Sequence, residues 1–211
     1  MAGKLITFEG IDGSGKSTQI RLIEEEFNRN GVQFKTFREP GGTKLSEKIR
    51  EILLDKENLE LPSTAESLLF AAARAQLTTE KIKPAFAEYE FVICDRFIDS
   101  TIAYQGYGRG LNINNLEMIN NIATDGLKPD LTFILDLNPA KAEERMESEA
   151  PDRMETIGTD FFTKVREGYR QIVEQNPDRC IEINAEQTPD NVYKEIYQII
   201  LKRFEKELIC S

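Results

Sequence analysis

The chain has 211 residues, with 37 acidic against 27 basic side chains, a formal net charge of −10 and no histidine. That balance argues against a nucleic-acid polymer as partner, because affinity for a phosphate backbone needs a basic face. The missing histidine removes the commonest general base and metal ligand, so any chemistry must run on positioning, cations and carboxylates, as phosphoryl transfer can. No apolar run approaches membrane-spanning length, so no membrane partner is expected. The length suits a single domain over residues 1–211. The first strand begins within a few residues of Met1, so no signal peptide is expected. Cys94, Cys180 and Cys210 are widely spaced, the first two in apolar strand-like runs, which predicts buried thiols in a reducing, cytoplasmic compartment.

In chain order, Lys4 to Glu9 reads as a buried strand through Leu5, Ile6 and Phe8. It is followed by Gly10-Ile11-Asp12-Gly13-Ser14-Gly15-Lys16-Ser17-Thr18, a match to G-x-x-x-x-G-K-[S/T]. Ile20, Ile23 and Phe27 then keep helical spacing until Asn30-Gly31 stops it. Strand, glycine loop and helix form the context in which backbone N–H groups cradle phosphates, Lys16 reaches the β/γ-phosphates and the Ser17 hydroxyl ligates Mg²⁺. Phe34 to Arg38 predicts a second, parallel strand ending in Arg38-Glu39-Pro40-Gly41-Gly42, where Arg38 is placed either to hold a phosphate or to sit on the surface. Thr43 to Lys56 reads as a helix. Ser63-Thr64-Ala65-Glu66 is a capping-box pattern opening a longer helix, on which Phe70 and Arg74 share a face. Pro84 is expected to kink or end it.

Phe91 to Asp95 predicts a central strand with a carboxylate at its tip, a place where Mg²⁺ is commonly organised. Asp99 to Gly110, which contains Ser100, Thr101, Tyr104 and Gln105, looks too polar and glycine-rich for core, and Tyr104 and Gln105 look placed for ligand contact. A helix over Asn112 to Asp125, a fourth strand from Leu131, a helix over Asn138 to Glu147, a helix over Asp160 to Gln175, a fifth strand over Cys180 to Asn184 and a closing helix from Pro189 complete the pattern. Between them, Ser148 to Gly158 has no apolar period and reads as a mobile lid, spanning about 146–158. The fold class expected is α/β: a P-loop NTPase of the nucleoside monophosphate kinase type, with a five-stranded parallel sheet, helices on both faces and a short lid.

Taken with Phe70-Ala71-Ala72-Ala73-Arg74, Asp95-Arg96-Phe97-Ile98-Asp99-Ser100-Thr101-Ile102-Ala103-Tyr104-Gln105-Gly106, Pro129-Asp130-Leu131 and Asp152-Arg153-Met154-Glu155, these segments resemble the thymidylate kinase family, in its bacterial form. The resemblance implies ATP-dependent phosphorylation of dTMP to dTDP, with ATP and Mg²⁺ and a homodimeric assembly. It implies that Lys16 and the loop from Gly10 to Thr18 hold ATP, and that Ser17 and Asp95 organise the metal. Arg38 and Arg96 would hold the dTMP phosphate, Phe70 would stack on thymine, and Arg74 would hydrogen-bond its edge with Ser100, Thr101 and Gln105 nearby. Asp12 would face the 3′-hydroxyl and Tyr104 would crowd the 2′ position. Arg153 matches the lid cation for the transferring phosphoryl, alone or with Arg145, in a chain that carries Gly13 rather than a basic residue in its loop. Lys16, Arg96, Asp95 and Arg153 are thus the expected catalytic residues. The alternatives are a kinase for another nucleoside monophosphate and a nucleotide-binding switch; against the switch, the chain has no Asn-Lys pair of the guanine-reading kind.

Overall fold

The computed structural model describes residues 3–146, 153–154, 158–205 and 208. Its centre is a five-stranded sheet, β1 (Lys4–Glu9), β2 (Phe34–Arg38), β3 (Phe91–Asp95), β4 (Leu131–Asp136) and β5 (Cys180–Asn184), in the order β2-β3-β1-β4-β5. All pairs are parallel. Alternation along the strands divides the core into two layers. Ile6, Phe8, Phe91, Ile93 and Phe133 face one layer, while Leu5, Val92 and Cys94 face the other. Each layer is covered by helices, so the strands are apolar on both sides.

Register puts the chemistry on one edge. Arg38 pairs with Asp95, and Asp95 with Phe8, so the carboxyl ends of β2, β3 and β1 finish level. The strand order reverses about β1, which opens a crevice at those ends. Around it stand α1 (Lys16–Arg29), α2 (Lys44–Leu54), α3 (Ser63–Leu77), α5 (Ile98–Thr101), α6 (Ile113–Thr124), α7 (Pro139–Met146), α8 (Thr159–Gln175) and α9 (Pro189–Arg203), with a short α4 (Lys83–Ala85) below.

Two local expectations are corrected. Ser63 to Glu66 is not a capping box: Pro62 caps α3 without a side-chain bond, and Glu66 is wholly buried, turned to partners on other elements. The helical path does end at Pro84 as expected: α3 gives way to a π-turn over Thr78–Ile82, and α4 closes one residue after the proline, at Ala85. Asp99 to Gly106 is largely core after all, while Tyr107 to Gly110 return toward the surface. α5 passes into a π-helix over Ile102–Gly108 whose residues Ile102 to Gly106 are buried against α8. Its glycines serve close packing: a Cβ at Gly108 would lie 2.5 Å from the Phe161 ring. Met146, Arg153, Met154 and Gly158 of the expected lid are described; its other positions, and Cys210, lie outside the described residues.

Candidate active site

The loop after β1 bends through left-handed glycines, Gly10 at φ 138°, Gly13 at 75° and Gly15 at 94°. A side chain at Gly10 would strike the Leu135 carbonyl, and one at Gly13 the Ala142 carbonyl, each at 2.7 Å. The loop therefore accepts only glycine there. Gly15 caps α1, so the helix N-terminus opens onto the loop. Lys16 folds back to donate to the Gly10 and Ile11 carbonyls at 3.1 Å each. Burial, and then the Arg96 guanidinium, pull its pKa below the ordinary lysine value. The buried Ser14 hydroxyl finds no partner among the described residues. A cation in a dry pocket and an idle hydroxyl both suit a phosphate.

Ser17 and Asp95 meet at the loop's mouth, Oγ to Oδ2 3.5 Å. No cluster of three or more metal-ligating side chains occurs among the described residues. One hydroxyl and one carboxylate of hard oxygen fit Mg²⁺, which usually completes its shell with water and substrate phosphates. A cleft of about 640 Å³ runs from this point past Arg38 and Arg145 to Ala185, Gln187 and Pro189. Arg38 is exposed and held by the Glu47 carboxylate at 3.0 Å.

Beside the loop lies a tighter pocket of about 90 Å³, lined by Phe70, Arg74, Ser100, Thr101, Tyr104 and Gln105, and also by Leu54 and Met154. Asp12, Glu39, Arg50 and Arg96 border both cavities, so the two share a wall. Arg96 occupies a left-handed conformation, φ 67°, unusual for a side chain with a Cβ. The turn aims it under the loop: Nη1 donates to the Gly10 carbonyl at 2.8 Å, and Nη2 donates to Asp12 Oδ1 at 2.6 Å and Tyr104 Oη at 3.1 Å. Burial alone would raise the Asp12 pKa, but Arg96 and Lys16 outweigh it and hold the carboxyl at about 2. Below them the buried Glu9 carboxylate accepts from the Phe97 amide at 2.7 Å and from Tyr169 Oη at 3.0 Å. Burial, with Asp99 nearby, pushes Glu9 up to about 7.

Arg74 is 2% exposed and forms a hub. Nε donates to Glu39 at 2.7 Å, Nη1 to Thr101 at 2.8 Å and Asn120 at 2.6 Å, and Nη2 to the Phe97 carbonyl at 3.0 Å. Asn120 is buried under the hub, and neither its position nor that of Arg50 follows from local sequence pattern.

The structure thus gathers Lys16, Ser17, Arg38, Asp95 and Arg96 around the cleft, and Asp12, Phe70, Arg74, Ser100, Thr101, Tyr104 and Gln105 around the pocket. It does not bring Arg153 to the loop. Arg153 is buried, its Nη2 on the Glu66 carboxylate at 2.8 Å and its Nε on the Leu53 carbonyl at 2.7 Å. Besides Lys16 and Arg96, Arg145 stands beside the loop, its Nη1 donating to the Gly13 carbonyl at 3.3 Å. The resemblance places Arg145 only as a companion of Arg153, and Arg50 is not singled out by the sequence.

Comparisons with known proteins converge on one family. Residues 8–196 match the family model described as thymidylate kinase. The chain is 48% identical over 200 residues to the thymidylate kinase of Caldanaerobacter subterraneus, covering 95% of this chain and 96% of that one. It is 47% identical over 208 residues to that of Prosthecochloris aestuarii, covering 94% and 93%. The crystal structure of thymidylate kinase from Ehrlichia chaffeensis superposes with a TM-score of 0.77 at 37% identity, covering 95% of this chain and 99% of that one.

Proposed function

The chain belongs to the thymidylate kinase family, and from that premise we propose that it transfers the γ-phosphoryl of ATP to dTMP, giving ADP and dTDP. The observation that carries the reading is the shared wall: Asp12 and Arg96 border the cleft at the glycine loop on one side and the pocket lined by Phe70, Tyr104 and Arg74 on the other. A donor in the cleft and an acceptor in the pocket would meet at Arg96.

Lys16 and the loop amides take the ATP phosphates, and Ser17 and Asp95 hold the Mg²⁺ that shields their charge. Arg38 and Arg96 take the acceptor phosphate, whose second pKa is roughly 6, so it is largely ionised at neutral pH and needs no strong base. Barrier lowering rests on aligning two anions and neutralising the transferring group. Gly13 cannot carry a cation, since any side chain there meets α7. Arg145, on α7 and already against Gly13, supplies it instead. Phe70 stacks on the base and Arg74 reads its edge, while Tyr104, packed beside Asp12, narrows the sugar site. The two described cysteines are buried free thiols, which suits a reducing cytoplasm. Leu45, Ile52, Leu68, Met118 and Ile122 are exposed on α2, α3 and α6, three helices packed side by side, a surface fit for a second copy in a homodimer.

A panel of dTMP, dUMP, dCMP, dGMP and AMP with ATP and Mg²⁺, read by ADP release, tests the acceptor. dTMP should turn over fastest. A preference for dGMP or dCMP would move the reading to another nucleoside monophosphate, and no stimulation by any of them would remove the kinase reading.

Arg74→Ala should raise KM for dTMP roughly 10- to 150-fold, the loss of one charged hydrogen bond, with KM for ATP unchanged. It also strands the buried Glu39 carboxylate, at about 3–5 kcal/mol of stability. Adding Glu39→Gln should restore the melting temperature but not the KM. A double variant that recovered both would make Arg74 a structural residue.

A further inference from the structure

We infer that Glu66 is a positioning residue for the acceptor pocket: its carboxylate latches Arg153, and through Arg153 seats Met154 as the wall that closes the pocket. The inference rests on the reading of that pocket as the acceptor site. Glu66 is 0% exposed, and both of its oxygens are used. Oε1 accepts from Gln105 Nε2 at 3.0 Å and Arg109 Nε at 3.2 Å, while Oε2 accepts from Arg109 Nη2 at 2.9 Å and Arg153 Nη2 at 2.8 Å.

Two features separate this from an ordinary buried bridge. First, the fork of Arg109 already compensates Glu66. Withdrawal of Arg153 would leave no orphaned carboxylate, so the pair can break without the penalty of stranding a buried charge. Second, Arg153 binds carbonyls as well as the carboxylate. Its Nε meets the Leu53 carbonyl at 2.7 Å and its amide the Leu54 carbonyl at 3.3 Å. These belong to the last turn of α2, where helix carbonyls lack partners of their own and a cation is favoured.

The residue after the latch reaches the substrate side. Met154 is 5% exposed, its sulfur 3.5 Å from Arg153 Nη2 and 3.9 Å from Arg109 Nη2, and it lines the pocket together with Arg74, Gln105 and Leu54. One carboxylate thereby sets two walls, Gln105 directly and Met154 through Arg153. At about 90 Å³ the pocket is small against the few hundred Å³ usual for a ligand site, so the placing of each wall counts. The Met154 wall rests in part on the pair between Arg153 and Glu66.

The test uses the full chain. Arg153→Ala should raise KM for dTMP about tenfold or more, leave kcat and KM for ATP within about threefold, and barely move the melting temperature because Glu66 keeps Arg109. Arg153→Lys should recover part of the loss, and Glu66→Gln combined with Arg153→Ala should be no worse than the worse single variant. A kcat collapsed by about a hundredfold at unchanged KM would instead place Arg153 on the transferring phosphoryl. Unchanged parameters throughout would reduce the pair to a tether. Trypsin supplies a readout without substrates: cleavage after Arg153 should be faster in Glu66→Gln than in wild type, with cleavage elsewhere unchanged. Equal cleavage would overturn the latch, whereas a wild type that ignores dTMP while the trypsin difference persists would overturn only the acceptor reading.

Discussion

Lys16→Ala is expected to lower kcat by at least about 10²–10³-fold while the protein stays folded. The size follows from removing a preorganised cation at the point where charge builds on the transferring group, in a site from which bulk water is largely excluded. Lys16 is 6% exposed, and among the described residues it meets backbone carbonyls at 3.1 Å and the more distant Asp12 carboxylate at 3.9 Å. Burial already disfavours its charge, so deleting it relieves a desolvation cost and leaves no buried anion alone, since Asp12 keeps Arg96. Steady-state kinetics and a thermal melt on the same preparation check both halves. A variant with near wild-type kcat would mean that the donor phosphates lie elsewhere.

The second large effect is expected at Arg96, where Arg96→Gly is the informative substitution. The native φ of 67° costs a non-glycine residue on the order of 1–2 kcal/mol, and glycine none. The backbone therefore loses nothing from the change. The side chain's fork across Gly10, Asp12 and Tyr104 disappears, and with it the cation facing both cavities. kcat/KM for dTMP should fall on the order of 10³-fold or more, as when an arginine is withdrawn from a transferring phosphoryl. Arg96→Lys keeps the charge but not the planar fork, and should fall between. If Arg96→Gly lost stability and not activity, the residue would be a brace for the loop and the shared wall would carry no chemistry.

Part of this site was legible in the chain because residues at strand ends carry it. Asp95 and the loop from Gly10 to Thr18 each follow an apolar run, Arg38 ends a mixed strand, and a parallel sheet brings such ends to one edge. What stayed hidden depends on contacts between distant segments. Ser63-x-x-Glu66 looks like a cap because local pattern cannot show that Glu66 meets Gln105, Arg109 and Arg153. The same partnership draws Arg153 away from the place its motif implies. Gly106 and Gly108 suggest a loop by composition, yet they let a buried π-helix approach Ile113 and Phe161. Arg50 has no local signal, and the place of Arg145 beside Gly13 shows only once α7 is packed against the loop.

The most direct measurement follows phosphorus itself. With the enzyme, Mg²⁺, ATP and dTMP, ³¹P NMR should show ATP and dTMP replaced in equal amounts by ADP and dTDP, with no inorganic phosphate. That outcome requires donor and acceptor to face each other across Asp12 and Arg96 with water shut out. ADP accompanied by inorganic phosphate, with dTMP intact, would show that the smaller pocket does not present an acceptor to the cleft, and would contradict the account.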